Sequence, residues 1–288
     1  MKLLLTGASG FVGRNVARAL VAAGHSLKPA MRGNGVDFRH LLTPADWLPH
    51  LAGVDAVINC VGIIGESAGQ KFWTLHAHAP SALFRACALA GVRRVVQISA
   101  LGADETAFSA YHRSKRAADD CLRRLDVDWF VLRPSLIYGR GGGSAELLLR
   151  LAKWPLLPVL DDGRQILQPV HISDVVAAVM RCLTAPTARQ TLDIVGPERI
   201  AFADWLQRTR QAQGLPPARL LPVPYRAALA LAWLGRACSP LLRTETVRML
   251  QTGYHADVEP LTRFLGRAPQ SAAPQLFFSD TLTTRNPT

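Results

Sequence analysis

Tyr111 and Lys115 stand four residues apart in Tyr111-His-Arg-Ser-Lys115, inside an amphipathic stretch that predicts a helix over 110–125. Residues i and i+4 share a helix face, so the phenol and the ammonium project side by side. A free tyrosine titrates near pH 10 and exchanges protons poorly at neutrality. A neighbouring ammonium favours the phenolate and draws that pKa down. The chemistry this allows is general acid and base work at a carbonyl or alcohol oxygen, the proton half of a hydride transfer.

Glycines supply the second pattern. Gly7, Gly10 and Gly13 in Thr6-Gly-Ala-Ser-Gly-Phe-Val-Gly13 follow a short apolar run and precede Val12, Val16, Ala19 and Leu20 at helical spacing. That order predicts strand, tight turn and helix. A pyrophosphate needs backbone N–H groups at close range plus the positive end of a helix, and glycine lets the main chain come that near. The spacing differs from the Gly-x-Gly-x-x-Gly fingerprint, so the strand–turn–helix context carries the reading. The expected cradle runs from Gly7 to Arg14, with Ser9, Phe11 and Val12 between the glycines. After the second strand comes Arg32, and the first acid is Asp37. Arg32, helped by Arg14, is therefore expected to clamp a 2'-phosphate, which makes NADP(H) the expected cofactor and NAD(H) the alternative.

Short apolar runs alternate with amphipathic ones through most of the chain. Strands are expected at 26–31, 36–38, 54–61, 94–99, 129–133 and 192–195, and helices at 44–51, 70–90, 110–125 and 174–183. The alternation predicts an α/β fold, a doubly wound parallel-sheet Rossmann domain whose ligands lie beyond the carboxyl ends of its strands. That domain is expected over 1–200, with 139–170 on the substrate side and a returning strand near 168–172. A small, mostly helical lobe is expected over 201–288, with helices at 205–213, 229–242 and 245–253. The segment 225–242 is unusually apolar between Arg226 and Arg236, which suits lobe packing or a homodimer contact, with a membrane surface as a minor alternative. The last dozen residues are expected to fray.

The formal charge is +12, yet the arginines are spread over nearly every helix and aromatics make up only 7% of the chain, so a nucleic-acid partner is not expected. Anionic small ligands or an acidic membrane surface suit this charge better. No run of 18 uncharged apolar residues occurs and the N-terminus reads as strand, so a cytoplasmic protein without signal peptide or span is expected. Five scattered cysteines fit reduced thiols, and no metal-ligand spacing occurs. His171, Ser173 and Asp174 do not form a hydrolase triad, because no Gly-x-Ser-x-Gly elbow exists and Ser173 or Asp174 suits a helix cap.

These motifs, with Asp55-Ala-Val-Ile-Asn-Cys-Val-Gly62, Ile98-Ser-Ala-Leu-Gly-Ala-Asp104, Arg133-Pro-Ser-Leu-Ile-Tyr-Gly139 and Gln168-Pro-Val-His-Ile-Ser-Asp174, resemble the extended or atypical short-chain dehydrogenase/reductases. The similarity is to the branch of bacterial NAD(P)H-binding proteins related to the nucleotide-binding accessory subunit of respiratory complex I, and it covers about residues 1 to 200. The resemblance implies that Asp37 and Phe38 flank the adenine, and that Asn59, Val61 and Gly62 line the ribose and nicotinamide. It gives Tyr111 the acid/base role, places Lys115 on the nicotinamide ribose and Pro134 beside the carboxamide. The family's serine falls at Ala100, with Ser99 one residue early as a third catalytic candidate, and its asparagine falls at His76. His76 and His78 read mainly as surface or packing residues. The resemblance implies an oxidoreductase acting on a small molecule, with peripheral contact to the inner membrane or a respiratory complex as a further expectation. Ala100 and His76 keep a non-catalytic dinucleotide-binding protein open, and a nucleotide-sugar epimerase or dehydratase is the third alternative.

Overall fold

Three consecutive leucines, Leu3, Leu4 and Leu5, have no exposed surface, as a strand covered on both faces requires. They form the middle of β1 (Lys2–Thr6), which pairs in parallel with β2 (Ser26–Ala30) and with β3 (Ala56–Asn59). β4 (Arg94–Ile98), β5 (Asp128–Pro134) and the strand Gln190–Ile194 complete a six-stranded parallel sheet. Its order is Gln190–Ile194, β5, β4, β3, β1, β2, so the direction of winding reverses beside β1. Ligands in such sheets bind in the crevice beyond the strand ends at that reversal. The helices α1 (Phe11–Ala22), α2 (Pro44–Leu51), α3 (Ala79–Leu89) and α4 (Ala110–Arg123) connect the strands. The computed structural model describes residues 1–235 and 244–277.

Two expected elements differ. Residues 36–38 form no strand: the apolar alternation of Val36 and Phe38 reflects burial, and Phe38 packs edge-on to Trp47 of α2 at 5.0 Å. The helix expected over 70–90 is π-helical at Trp73–His78 before α3 begins. Pro80 explains the change, because it has no N–H for the carbonyl of His76 and its ring would collide there. Ala79 N–H bonds instead to Thr74 O, one residue farther back than an α-helix would reach.

The chain divides into two compact units, Met1–Pro134 with Val175–Ile194, and Ser135–Asp174 with Val195–Thr288. In the second unit, Ile137–Tyr138 pairs with Val170–His171, Ile166–Leu167 with Ile200–Ala201, and Leu156–Leu160 with Arg219–Val223. Its helices include Phe202–Gln211, Tyr225–Gly235, Thr244–Thr252 and Glu259–Leu265. Tyr138, Trp205 and Phe277 form an aromatic cluster there. The apolar segment expected over 225–242 is described as helix to Gly235. Arg236, Cys238 and the final eleven residues lie outside the described residues.

Gly7 and Gly13 are set by close backbone approach. A Cβ on Gly7, whose φ is +69°, would stand 2.8 Å from the Cys60 carbonyl, and one on Gly13 only 2.1 Å from Gly7 O. α1 therefore presses directly onto the turn that feeds it. Gly13→Ala should lower the free energy of unfolding in urea by about 1–3 kcal/mol. Unchanged stability would mean that α1 does not rest on the turn.

Candidate active site

Ser109 caps α4, its Oγ accepting from His112 N at 3.1 Å, and so places Tyr111 in the first turn with Lys115 one turn later. The Tyr111 ring meets Phe72 edge-on at 5.7 Å and His76 at 5.4 Å between centroids. His76, with no exposed surface, fixes this corner. Its Nε2 accepts from Ile63 N–H at 3.0 Å, so the ring proton sits on Nδ1 and is donated to Ser114 Oγ at 3.1 Å. Ser114 in turn donates to Tyr111 O at 2.8 Å. Burial, with the charge of Lys115 adding to it, holds the imidazole well below its usual pKa and keeps it neutral. His76 thus ties the loop after β3 to α4 from inside, whereas sequence placed it mainly among surface or packing residues; His78 is exposed.

Lys115 is 4% exposed. Its Nζ donates to Ile98 O at 2.9 Å and Val61 O at 3.3 Å, and a Cβ on Gly62 would stand 3.1 Å from it. Burial draws the ammonium down to about 8 against the pull of Asp119 and Cys60. The expectation that Lys115 lowers the Tyr111 pKa is not met, because burial pushes the phenol up to about 12. Asp119 was missed by sequence reasoning, although it lies four residues past Lys115 and eight past Tyr111, on the same helix face. It is fully buried, and Ser99 Oγ donates to its Oδ2 at 2.5 Å. Ser99 is thereby turned toward α4 and 3% exposed, and Ala100 beside it is buried.

The expected cofactor residues fall into three groups. Ser9 and Gly10 are exposed at the N-terminus of α1, with Phe11 and Val12 half-buried and Gly13 beneath. Arg14 N closes on Gly10 O at 2.9 Å, so the N–H groups of Phe11, Val12 and Gly13 precede that bond. Val61 and Gly62 follow β3 against Lys115, and Pro134 O at the end of β5 accepts from Leu101 N at 2.9 Å. Asn59 is internal: its Oδ1 accepts from Thr6 Oγ1 and Val61 N, and its Nδ2 donates to Gln97 Oε1, linking the ends of β1, β3 and β4. Phe38 is spent on Trp47, and Asp37 is gripped by Arg39, which holds its carboxyl down at about 2. Arg32 is exposed on a 3-10 turn, Arg32–Asn34, and Arg14 Nη1 donates to Ser9 O at 2.7 Å. Among the described residues no group of His, Cys, Asp and Glu could hold a metal, and no helix is long and apolar enough to cross a membrane.

The model of the NAD dependent epimerase/dehydratase family matches residues 3–195. The chain belongs to this family. This epimerase/dehydratase family enzyme is 29% identical to a "Ceramide reductase" of Caulobacter vibrioides over 256 residues, covering 84% of this chain and 80% of that protein. It is 24% identical to the mitochondrial "NADH dehydrogenase [ubiquinone] 1 alpha subcomplex subunit 9" of Mus musculus, covering 88% and 72%. The complex I subunit is thus a relative, alongside enzymes of the same family. Among solved structures, "MoeE5 in complex with UDP-glucuronic acid and NAD" superposes with a TM-score of 0.72 at 22% identity, covering 96% of each chain. The Rossmann core is therefore that of the epimerase family.

The expected NADP(H) preference is overturned. Solved structures of the same fold, among them MoeE5 and a UDP-glucuronic acid 4-epimerase of Bacillus cereus, are named as complexes with NAD. Asp37, the first acid after β2, is firmly ionised, and a carboxylate accepts hydroxyls but repels a phosphate.

Burial raises Asp119 from 3.8 to about 7. Its contribution to stability is fully present below about pH 4 and is lost as pH rises through about 7. Between pH 4.5 and 7.5 the melting temperature of the wild type should therefore lose more than that of Asp119→Asn. Equal slopes would contradict a buried, proton-holding carboxyl.

Proposed function

We propose that this enzyme catalyses an NAD(H)-linked oxidoreduction at a carbonyl or alcohol carbon of a small molecule, with Tyr111 moving the proton. The observation that carries the reading is the corner of Lys115, Gly62 and His76 past the carboxyl ends of β3 and β4, against which the Tyr111 ring packs through His76.

The residues present fit the dinucleotide. A cradle in which Cβ atoms on Gly7 and Gly13 would strike backbone, opening on a helix N-terminus without an acid in its first turn, suits a pyrophosphate. Gly7, Ser9, Gly10, Phe11, Val12 and Gly13 would hold the phosphates and Asp37 the adenosine ribose. Val61, Gly62, Lys115 and Pro134 would hold the nicotinamide half. Asn59 supports this half from within the sheet, and Phe38 supports the adenine side through Trp47.

The bound dinucleotide supplies or takes up a hydride. Tyr111, protonated at neutral pH because its pKa lies near 12, enters reduction as the donor to the substrate oxygen. The buried ammonium of Lys115, one turn away on the same face, would hold the nicotinamide ribose beside the carbonyls of Val61 and Ile98 that it already binds. Ser99 acts from behind, through Asp119 and not at the substrate. The reductase name of the Caulobacter relative supports the reductive direction. An epimerase would use the same side chains with no net change in the dinucleotide.

A screen of ketones and aldehydes with NADH tests the reading. Tyr111→Phe should cut turnover by about 10² or more with little effect on NADH affinity, and Lys115→Ala should damage both. Reduction should also decline as pH rises through about 8, where Lys115 loses its charge. Turnover that survives Tyr111→Phe would overturn the mechanism.

A further inference from the structure

The helix Tyr225–Gly235 is apolar all round. Tyr225, Ala228, Leu229 and Ala232, at spacings of three and four, make its covered face, and Thr244–Thr252 packs beside it. The rest of its surface carries Leu231, Trp233 and Leu234, which are 61%, 55% and 66% exposed. A surface helix of an ordinary globular protein keeps charged and polar residues there. Here the only charge on the helix is Arg226.

The strand leading into this helix extends the pattern. Arg219–Val223 pairs in parallel with Leu156–Leu160, Arg219 opposite Leu156 and Leu221 opposite Pro158, which puts Leu156 and Leu221 on one face of the ribbon. Both are nearly half exposed, and Trp154 just before them is 56% exposed. Asp161 joins strand to helix, its N–H bonding Val223 O at 2.9 Å and its Oδ1 accepting from Tyr225 N at 2.8 Å. The charges along the two strands and the helix are Lys153, Arg219 and Arg226, all positive, with Asp161 and Asp162 at the turn after Leu160.

We propose that this face docks on the surface of an anionic lipid bilayer, with the helix Tyr225–Gly235 lying in the interface. The sign of the charge decides between a bilayer and a second copy of the chain. A two-fold contact would set this face against itself and bring Lys153, Arg219 and Arg226 against their like, the adjoining carboxylates being engaged already, Asp161 by Tyr225 N and Asp162 by Arg164. Phosphate headgroups would pair each cation, strengthening binding about fivefold per cation. Tryptophan and leucine beside arginine is the composition that partitions to the headgroup boundary.

The test is co-sedimentation of the full chain with phosphatidylcholine vesicles with and without about 30% phosphatidylglycerol, alongside its molar mass by light scattering. Binding should require the anionic lipid and weaken at high salt. Leu231→Glu/Leu234→Glu should abolish it. Arg219→Glu/Arg226→Glu, which alters only exposed side chains, should lower it at least about tenfold, with circular dichroism and NADH affinity unchanged in both variants. A protein that ignores anionic vesicles would overturn the proposal, and so would a dimer that Leu231→Glu/Leu234→Glu converts to monomer without prior vesicle binding. Loss of reductase activity in the Tyr111→Phe variant leaves vesicle binding intact, so this proposal stands or falls apart from the catalytic one.

Discussion

An ammonium ion inside a protein must find partners or give up its charge, and Lys115 does part of both. Two carbonyls, Val61 O and Ile98 O, receive its N–H groups, and burial brings its pKa down to about 8. Those carbonyls lie just past β3 and at the end of β4, so one side chain of α4 gathers the strand ends beside the reversal of winding. Removing it would leave the carbonyls of Val61 and Ile98 without their donor, which is costlier than losing a surface charge.

The same corner decides the state of the phenol. Burial sets Tyr111, whose ring is lined by Phe72 and His76, and pushes the phenol up to about 12. His76 cannot add a charge, because its Nε2 is committed to the Ile63 N–H and its Nδ1 proton to Ser114. The resting site is therefore a protonated phenol, a neutral imidazole and a partly titrating ammonium. That set favours delivering a proton to a substrate oxygen over removing one, and it makes Lys115 the group whose charge changes nearest neutrality.

Much of the sheet was legible because buried parallel strands are written as unbroken aliphatic runs, as in Leu3 to Leu5 or Val95 and Val96. Residues 36–38 carried the same signal for another reason, Phe38 filling space against Trp47. The π-helical turn at Trp73–His78 was hidden because its cause is a missing N–H at Pro80, which hydrophobic spacing does not report. In the candidate site the pairing of Tyr111 with Lys115 could be read from spacing alone. Asp119 continued the spacing and was passed over, since a carboxylate four residues from a lysine usually reads as a surface ion pair. The inward turn of Ser99 and the internal use of Asn59 depend on contacts across strands, far apart in sequence. The cofactor preference failed because Arg32 was weighed above Asp37, whose ionised carboxyl suits a ribose hydroxyl and not a phosphate.

The claim on which the account rests is that Lys115 is a buried ammonium facing the dinucleotide, and lysine side-chain resonances in isotope-labelled protein report on it directly. The chain has five lysines. One of them, identified by its loss in Lys115→Arg, should titrate near 8, and adding NADH should shift that resonance above all others. A Lys115 signal that titrates at the ordinary 10.5, or one indifferent to NADH, would contradict it.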